Sequence, residues 1–566
     1  MKIAALCCLP LLACCNHAPA VPARAGPSQK AAGVALPIDP SKAAAELSAE
    51  AHDLLRVEGE LLWKRWTTGA GPLPASALAE HPRLTQRESV EMVARAAAKA
   101  SGDDAAALRL LHGQLATWAL AREAGAEIEA LERARAQLTF AAPGDQRPER
   151  GERDLDRLLT EESNAQKRAA VAAAEAKSAQ ALAPLAMARD AAVEKALVAL
   201  GLESWSAVEE SAHGMPLAAL AALAERTLAA TEGVAAKAVG GAAERNIGVT
   251  VDRLRRADLP RLARSALADS EFPPGRAWPW VRAVFTAIGT PPPASLVLDA
   301  EPSPSKGARP LALLVDPPAD ERLSLRPAGG FEEQRATLHE GARALGGSLT
   351  QAPRWELGQL GDGSTAEGAA QLFEELSGDP LWLREVTGLR GEPLDDLVHT
   401  QAARRLLSVR RAAAMVLFEV RRREGPRTPE AQAALYRGLL QRATFAVFTD
   451  DDAGRWALEA DAWIHGASAM EGAVLAAQID RALKAEWWKS AASGEALKKI
   501  WAGGRSLAAG DAARVLGLTG LDPAALAAVA EERLAYKAPE APPPTQKPDY
   551  KYMQGDKKRR RHKKKH

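Results

Sequence analysis

The chain has 566 residues, 47% of them apolar and 26% charged, which is ample for a large buried core. Aromatic residues are few at 4%, and Ala, Leu, Arg and Glu dominate, a composition that favours helix throughout. The formal net charge of +1 hides an asymmetry: the last ten residues, KKRRRHKKKH, hold eight Lys/Arg, so the rest sums to about −7 and offers no broad nucleic-acid-binding surface.

All four cysteines, Cys7, Cys8, Cys14 and Cys15, lie at the N-terminus, so the remainder can form no disulfide and no cysteine-based zinc site. Lys2 precedes an apolar run from Ile3 to Ala13 that has signal-peptide length and is too short to span a bilayer. The tetrad LLAC at 11–14 resembles a bacterial lipobox, in which the cysteine is lipidated and becomes the mature N-terminus. On that reading residues 1–13 are a lipoprotein signal peptide and Cys14 carries the membrane anchor. The alternative is an ordinary secretory signal cut near Ala18 or Ala20. Cys15 rather than Asp follows Cys14, so nothing argues for inner-membrane retention. The expected location is the cell envelope, on its periplasmic or outer face.

Residues 14–43 are Pro/Ala/Gly-rich without an apolar period and read as a flexible tether. From 44 to about 290 amphipathic helices follow one another, with apolar residues at i, i+3, i+4 and i+7. APGDQRPERGE at 142–152 interrupts them and suggests a joint between an N-terminal helical region, 44–154, and a second domain, 155–537. Three short apolar runs separated by Pro, Gly and Asp make 295–326 the strand region. Helices resume with FEEQRATLHEGARAL and continue from 366 onward. Residues 538–566 are Pro-rich and then basic, and are expected to be disordered. That tail is either a solubility tail or an electrostatic tether to anionic envelope polymers, whose hold would weaken steeply with salt.

The stretch RATLHEGARALGG at 335–347 carries the candidate chemistry. Residues i and i+4 share a helix face, which is how H-E-x-x-H brings two imidazoles to one zinc while the glutamate activates the bound water. His339 and Glu340 begin that pattern, and Arg343 stands where the second histidine belongs. A guanidinium has no lone pair and stays charged, so it cannot ligate a metal. Aimed at a divalent ion from ~4 Å, at an effective dielectric of ~20, it would meet a repulsion on the order of 8 kcal/mol. Arg343 instead can take the metal's place and bridge Glu340 and Glu367, or reach solvent along the helix. His399 and His465 read more simply as surface or core histidines, Trp487 and Trp488 as packing anchors, and RRLLSVRR at 404–411 as a solvated basic face. No G-x-S-x-G elbow and no phosphate-binding G-x-x-x-x-G-K-[ST] loop is present.

RPLALLVDPPADERLSLRPAGGFEEQRATLHEGARALGG resembles the active-site region of the oligoendopeptidase F and thimet oligopeptidase family, a β-hairpin and Gly-Gly turn leading into the H-E-x-G-H helix. STAEGAAQLFEELSGDPLWL at 364–383 is similar to that family's second helix, LVLDAEPSPSKGARP to the segment before the hairpin, and 467–523 to its C-terminal helices. The resemblance covers about 155–535. It implies a mainly α, two-lobed helical clamshell with a small β element. It places His339 at the first zinc ligand, Glu340 at the general base and Glu367 at the third ligand. Its carbonyl-polarising tyrosines are absent from DAWIHGASAMEG at 461–472, where His465 is the candidate to fill one such place. The reading expected from all this is an envelope lipoprotein with a degenerate zinc site, without a cofactor, whose cleft binds a peptide or protein. The alternatives are an active oligopeptidase, with zinc held by His339, Glu367 and a substitute ligand, and a purely structural helical envelope protein.

Overall fold

A computed structural model describes residues 39–144, 149–464 and 466–540. The protein is mainly helical, with two small sheets. Among the described residues no helix is long and apolar enough to cross a membrane.

The first helix, Pro40–Thr68, starts where Asp39 accepts a hydrogen bond from the Ser41 amide and proline supplies the first turn. It therefore takes up residues 40–43, the last four of the expected tether. It stops at Gly69, whose φ of 72° closes the last turn back to the Arg65 carbonyl. Leu47, Ala51 and Leu54 on one face are fully buried. The same helix is tied to residues far along the chain. Ser48 donates to Glu356 at 2.6 Å and accepts from the Trp355 indole at 2.9 Å, and His52 pairs with Asp316 at 3.0 Å while stacking on Trp355.

The expected joint near 142–152 holds a short antiparallel ribbon, β1 (Thr139–Phe140) with β2 (Arg150–Gly151). It does not divide two cores. One continuous cluster of buried side chains runs from Ala44 through Leu131 and Leu228 to Leu406, Phe418 and Trp456. Helices on both sides of residue 154 contribute to that cluster. A second cluster gathers Phe285, Leu338, Ala342, Phe373, Trp382, Leu475 and Trp501. Trp487 and Trp488 are buried within it, as packing residues should be. The long helix Gly391–Glu424 joins the two, giving Leu394 and Val398 to the second and Leu407 and Phe418 to the first.

That helix carries RRLLSVRR, and the expectation of a solvated basic face fails there. Arg404 pairs with Glu332, Arg405 with Glu375, Arg410 with Glu232 and Arg411 with Glu459. Arg410 is fully buried and donates to the carbonyls of Ala443, Leu228 and Arg442. Partners distant in sequence made these arginines interior.

The strand region forms where the apolar runs placed it: β3 (Val297–Asp299), β4 (Leu311–Asp316) and β5 (Asp320–Ser324), in the order β3-β5-β4. β4 and β5 are an antiparallel hairpin with Ala312 opposite Leu323, and β3 joins β5 in parallel. Buried Lys306 staples the long β3–β4 connection, donating to the carbonyls of Asp299, Glu301 and Leu325. Gly329 and Gly330 then turn the chain with φ of 80° and 94°, backbone that side chains rarely adopt. They deliver it into helix Phe331–Ser348. At the other end, residues 538 and 539 dock on the long helix's first turn, so the described start of the tail is attached there.

Candidate functional site

Helix Phe331–Ser348 turns Leu338, Ala342 and Leu345 into the second core, which fixes its rotation and leaves His339, Glu340 and Arg343 along one flank. Gly347 lets it approach the hairpin: an added Cβ would stand 2.4 Å from a Leu314 methyl. Helix Ser364–Glu374 lies beside it and presents Glu367, Gln371 and Glu374 at i, i+4 and i+7, one face of a helix. That helix crosses Ala467–Leu483 backbone to backbone, since a Cβ on Gly472 would come 2.8 Å from the Gly368 nitrogen. These contacts bring Glu367 to the flank of His339.

His339 sits at the centre of the cluster. Its Nε2 lies 3.5 Å from Glu367 and 4.0 Å from Glu340, and its Nδ1 lies 2.8 Å from Glu374. Arg343 approaches Glu340 at 3.7 Å. The expected guanidinium bridge between Glu340 and Glu367 is therefore differently built: the imidazole spans the two carboxylates, and Arg343 acts on Glu367 through its charge. Burial works to raise Glu367, but His339, Arg343 and a Gln371 hydrogen bond outweigh it and hold the carboxyl down to about 2. The other Glu340 oxygen contact is structural, accepting the Ala312 amide of β4 at 2.8 Å.

Behind His339 runs a ladder of charges. Arg335, buried, donates to Glu374 and pairs with Glu332 at 3.1 Å; Arg404 reaches the same Glu332 from the long helix. Burial would raise both carboxyls, but the guanidinium charges win, holding Glu332 at about 2 and Glu374 well below the usual range. In front, Glu471 is hydrogen-bonded to Asp362, and burial together with that neighbour pushes its carboxyl well above the ordinary value. Leu314, Arg343, Asp362, Glu367, Ser468 and Arg505 border a crevice of about 10 Å³, the room of about one water.

The donor set can be tested for zinc. Two ligands each ~2.0–2.1 Å from a tetrahedral ion stand ~3.3 Å apart. The 3.5 Å between His339 and Glu367 matches that edge. The rest does not fit, because a catalytic zinc takes three protein ligands and the next position on the helix face is a guanidinium. Both imidazole nitrogens face carboxylates, Nε2 toward Glu367 at 3.5 Å and Nδ1 toward Glu374 at 2.8 Å. Among the described residues no group of three His, Cys, Asp or Glu side chains is arranged to hold a metal.

The sequence-derived residues His339, Glu340, Arg343 and Glu367 thus come together. Cys14 and His465 lie outside the described residues. Sequence reasoning missed Glu374, Arg335, Gln371 and the Asp362–Glu471 pair. Glu374 and Gln371 were within reach, seven and four residues beyond Glu367 on the same helix face. No protein-family model matches the chain, and no curated protein matches it in sequence.

Proposed function

We propose that the chain is a non-catalytic relative of the oligoendopeptidase F and thimet oligopeptidase architecture, held in the envelope by a lipid on Cys14. On this reading the helices form the two-lobed clamshell, and the hairpin, the His339–Glu340 helix and the Glu367 helix are the remains of its active site. The protein binds a peptide or a partner protein instead of cleaving peptides, and the basic tail adds contact with anionic envelope polymers. A lipid at one end and a polycation at the other make attachment bivalent.

The observation that carries this reading is the double engagement of His339, by Glu367 at 3.5 Å and Glu374 at 2.8 Å, beside Arg343 at the next ligand position. The imidazole and a guanidinium stand among carboxylates that a divalent ion would otherwise hold. Glu340 is engaged with the Ala312 amide as well, away from the role of a free base. The crevice's small volume supports a second reading, a helical envelope protein with a collapsed cleft.

Metal analysis and a quenched-peptide assay on the unaltered chain and on Arg343→His test the proposal. The unaltered chain should hold no stoichiometric zinc and cleave nothing. Arg343→His should take up roughly one zinc per chain, lost again when His339→Ala is added. Tightly bound zinc with peptide turnover in the unaltered chain overturns the reading. Thermal stabilisation by peptides without cleavage favours the binding form of it over the collapsed form.

A further inference from the structure

A second cavity, of about 200 Å³, shares no lining residue with the crevice at Arg343. It lies between helix Ala183–Leu200, the first turn of helix Trp205–His213 and the C-terminal end of the long helix. Its size exceeds the ~150 Å³ of an engineered cavity that holds benzene, so it accommodates a small apolar group. Met187, Val193, Trp205 and Ala462 supply an apolar wall.

That wall is rigid because its charged neighbours are fully engaged. Arg422 donates to Glu419, Asp190 and the Asp461 carbonyl. Arg423 donates to Glu419 and to the carbonyls of Asp461 and Ala462, and its guanidinium stacks 3.7 Å over the Trp205 ring. The Trp205 indole in turn donates to Ala462 at 2.9 Å. None of these groups has to rearrange to admit a guest.

Two lining charges are different. Arg427 and Glu194 are 46% and 42% exposed and meet only through one guanidinium nitrogen, at 3.2 Å. That nitrogen also shares the Arg423 carbonyl at 3.3 Å, a long contact. A cation and an anion, loosely joined and half in solvent, therefore border an apolar interior.

We propose that this cavity binds a free zwitterionic α-amino acid with an apolar side chain. The α-carboxylate would take the guanidinium fork of Arg427, the α-ammonium would take Glu194, and the side chain would enter against Trp205 and Val193. The two ligand charges sit on one carbon, which matches mouth groups that are themselves neighbours. A ligand with a single charge would break the Arg427–Glu194 pair and leave one member unpaired.

Calorimetric titration of the full chain with L-leucine and L-phenylalanine, N-acetyl-L-leucine and L-leucinamide tests this. The two free amino acids should bind saturably. Each blocked form, lacking one charge, should bind about tenfold more weakly or not at all. Arg427→Gln should weaken leucine about tenfold without weakening leucinamide, and Glu194→Gln should weaken leucine without weakening N-acetyl-leucine. Both positions are half-exposed, so the variants should melt like the parent. Absence of saturable heat, equal binding of free and blocked forms, or variants that bind like the parent would each overturn the proposal.

Discussion

The two sides of the narrow crevice solve one problem in opposite ways. On the His339 side, a buried carboxylate keeps its charge because cations were brought to it: Glu367 is held down to about 2. On the Asp362 side a second buried carboxyl, Glu471, is pushed far up, because burial and a like charge act on it together. One side pairs its acid with a guanidinium and an imidazole; the other sets one acid against another. A cation replaced by a neutral group should therefore be costly on the first side, whereas a carboxyl replaced by its amide should be nearly harmless on the second.

Arg335→Met gives the largest expected effect. Arg335 is buried and donates to Glu374, so its loss leaves that carboxyl with His339, while the exposed Glu332 keeps Arg404. Urea unfolding at pH 7–8 should show a loss of ~3–5 kcal/mol. Glu332 and Glu374 are depressed in the folded chain, so the stability they contribute is present above the unfolded carboxyl range near ~4.3 and is lost as pH falls toward the folded values. The gap between parent and variant should therefore narrow below about pH 4.5. A loss under ~1 kcal/mol at pH 7–8 would end the claim that the guanidinium is what keeps these acids charged.

Glu321→Gln is the next largest, with the opposite sign. Glu321 on β5 is buried, both its oxygens lack a partner among the described residues, and burial with Asp320 and Asp316 raises it to about 7. A carboxyl raised in the folded state destabilises once the unfolded chain ionises: nothing is lost below about pH 4.5, and the deficit grows until about pH 7. The amide should stabilise the protein by ~1–2 kcal/mol at pH 8 and not at all at pH 4, as read from denaturation midpoints. Equal midpoints at pH 8 would mean that Glu321 has a cation beside it after all.

How far the sequence anticipated the site depended on whether partners were near in sequence. The strands, the His339 helix and the Glu367 helix follow from apolar period and turn residues, which act within about ten residues. His339, Glu340 and Arg343 share one helix flank and could be read from a single stretch. Arg335 and Glu374 are 39 residues apart and Arg404 and Glu332 are 72 apart, so nothing local announces the ladder behind the histidine. The same ignorance made 404–411 look like a solvated face. A run of arginines reads as surface until the carboxylates that bury it are known, and those came from Glu232, Glu332, Glu375 and Glu459.

Glu471→Gln is the smallest effect and the sharpest on the comparison itself. Glu471 is 1% exposed and bonded to Asp362, and burial with that neighbour raises its carboxyl well above the ordinary value. A protonated carboxyl and a primary amide are close in shape, and both can donate to the Asp362 carboxylate. The variant should unfold within ~0.5 kcal/mol of the parent at pH 7, because no charge is removed and no acceptor is stranded. Glu367→Gln on the opposite side should not behave this way, since it takes an ionised group from between a histidine and an arginine. If Glu471→Gln instead cost ~2 kcal/mol or more, the acid would have to be ionised and paired. Glu471 would then be a charged acid like Glu367, and the contrast between the two sides would be gone.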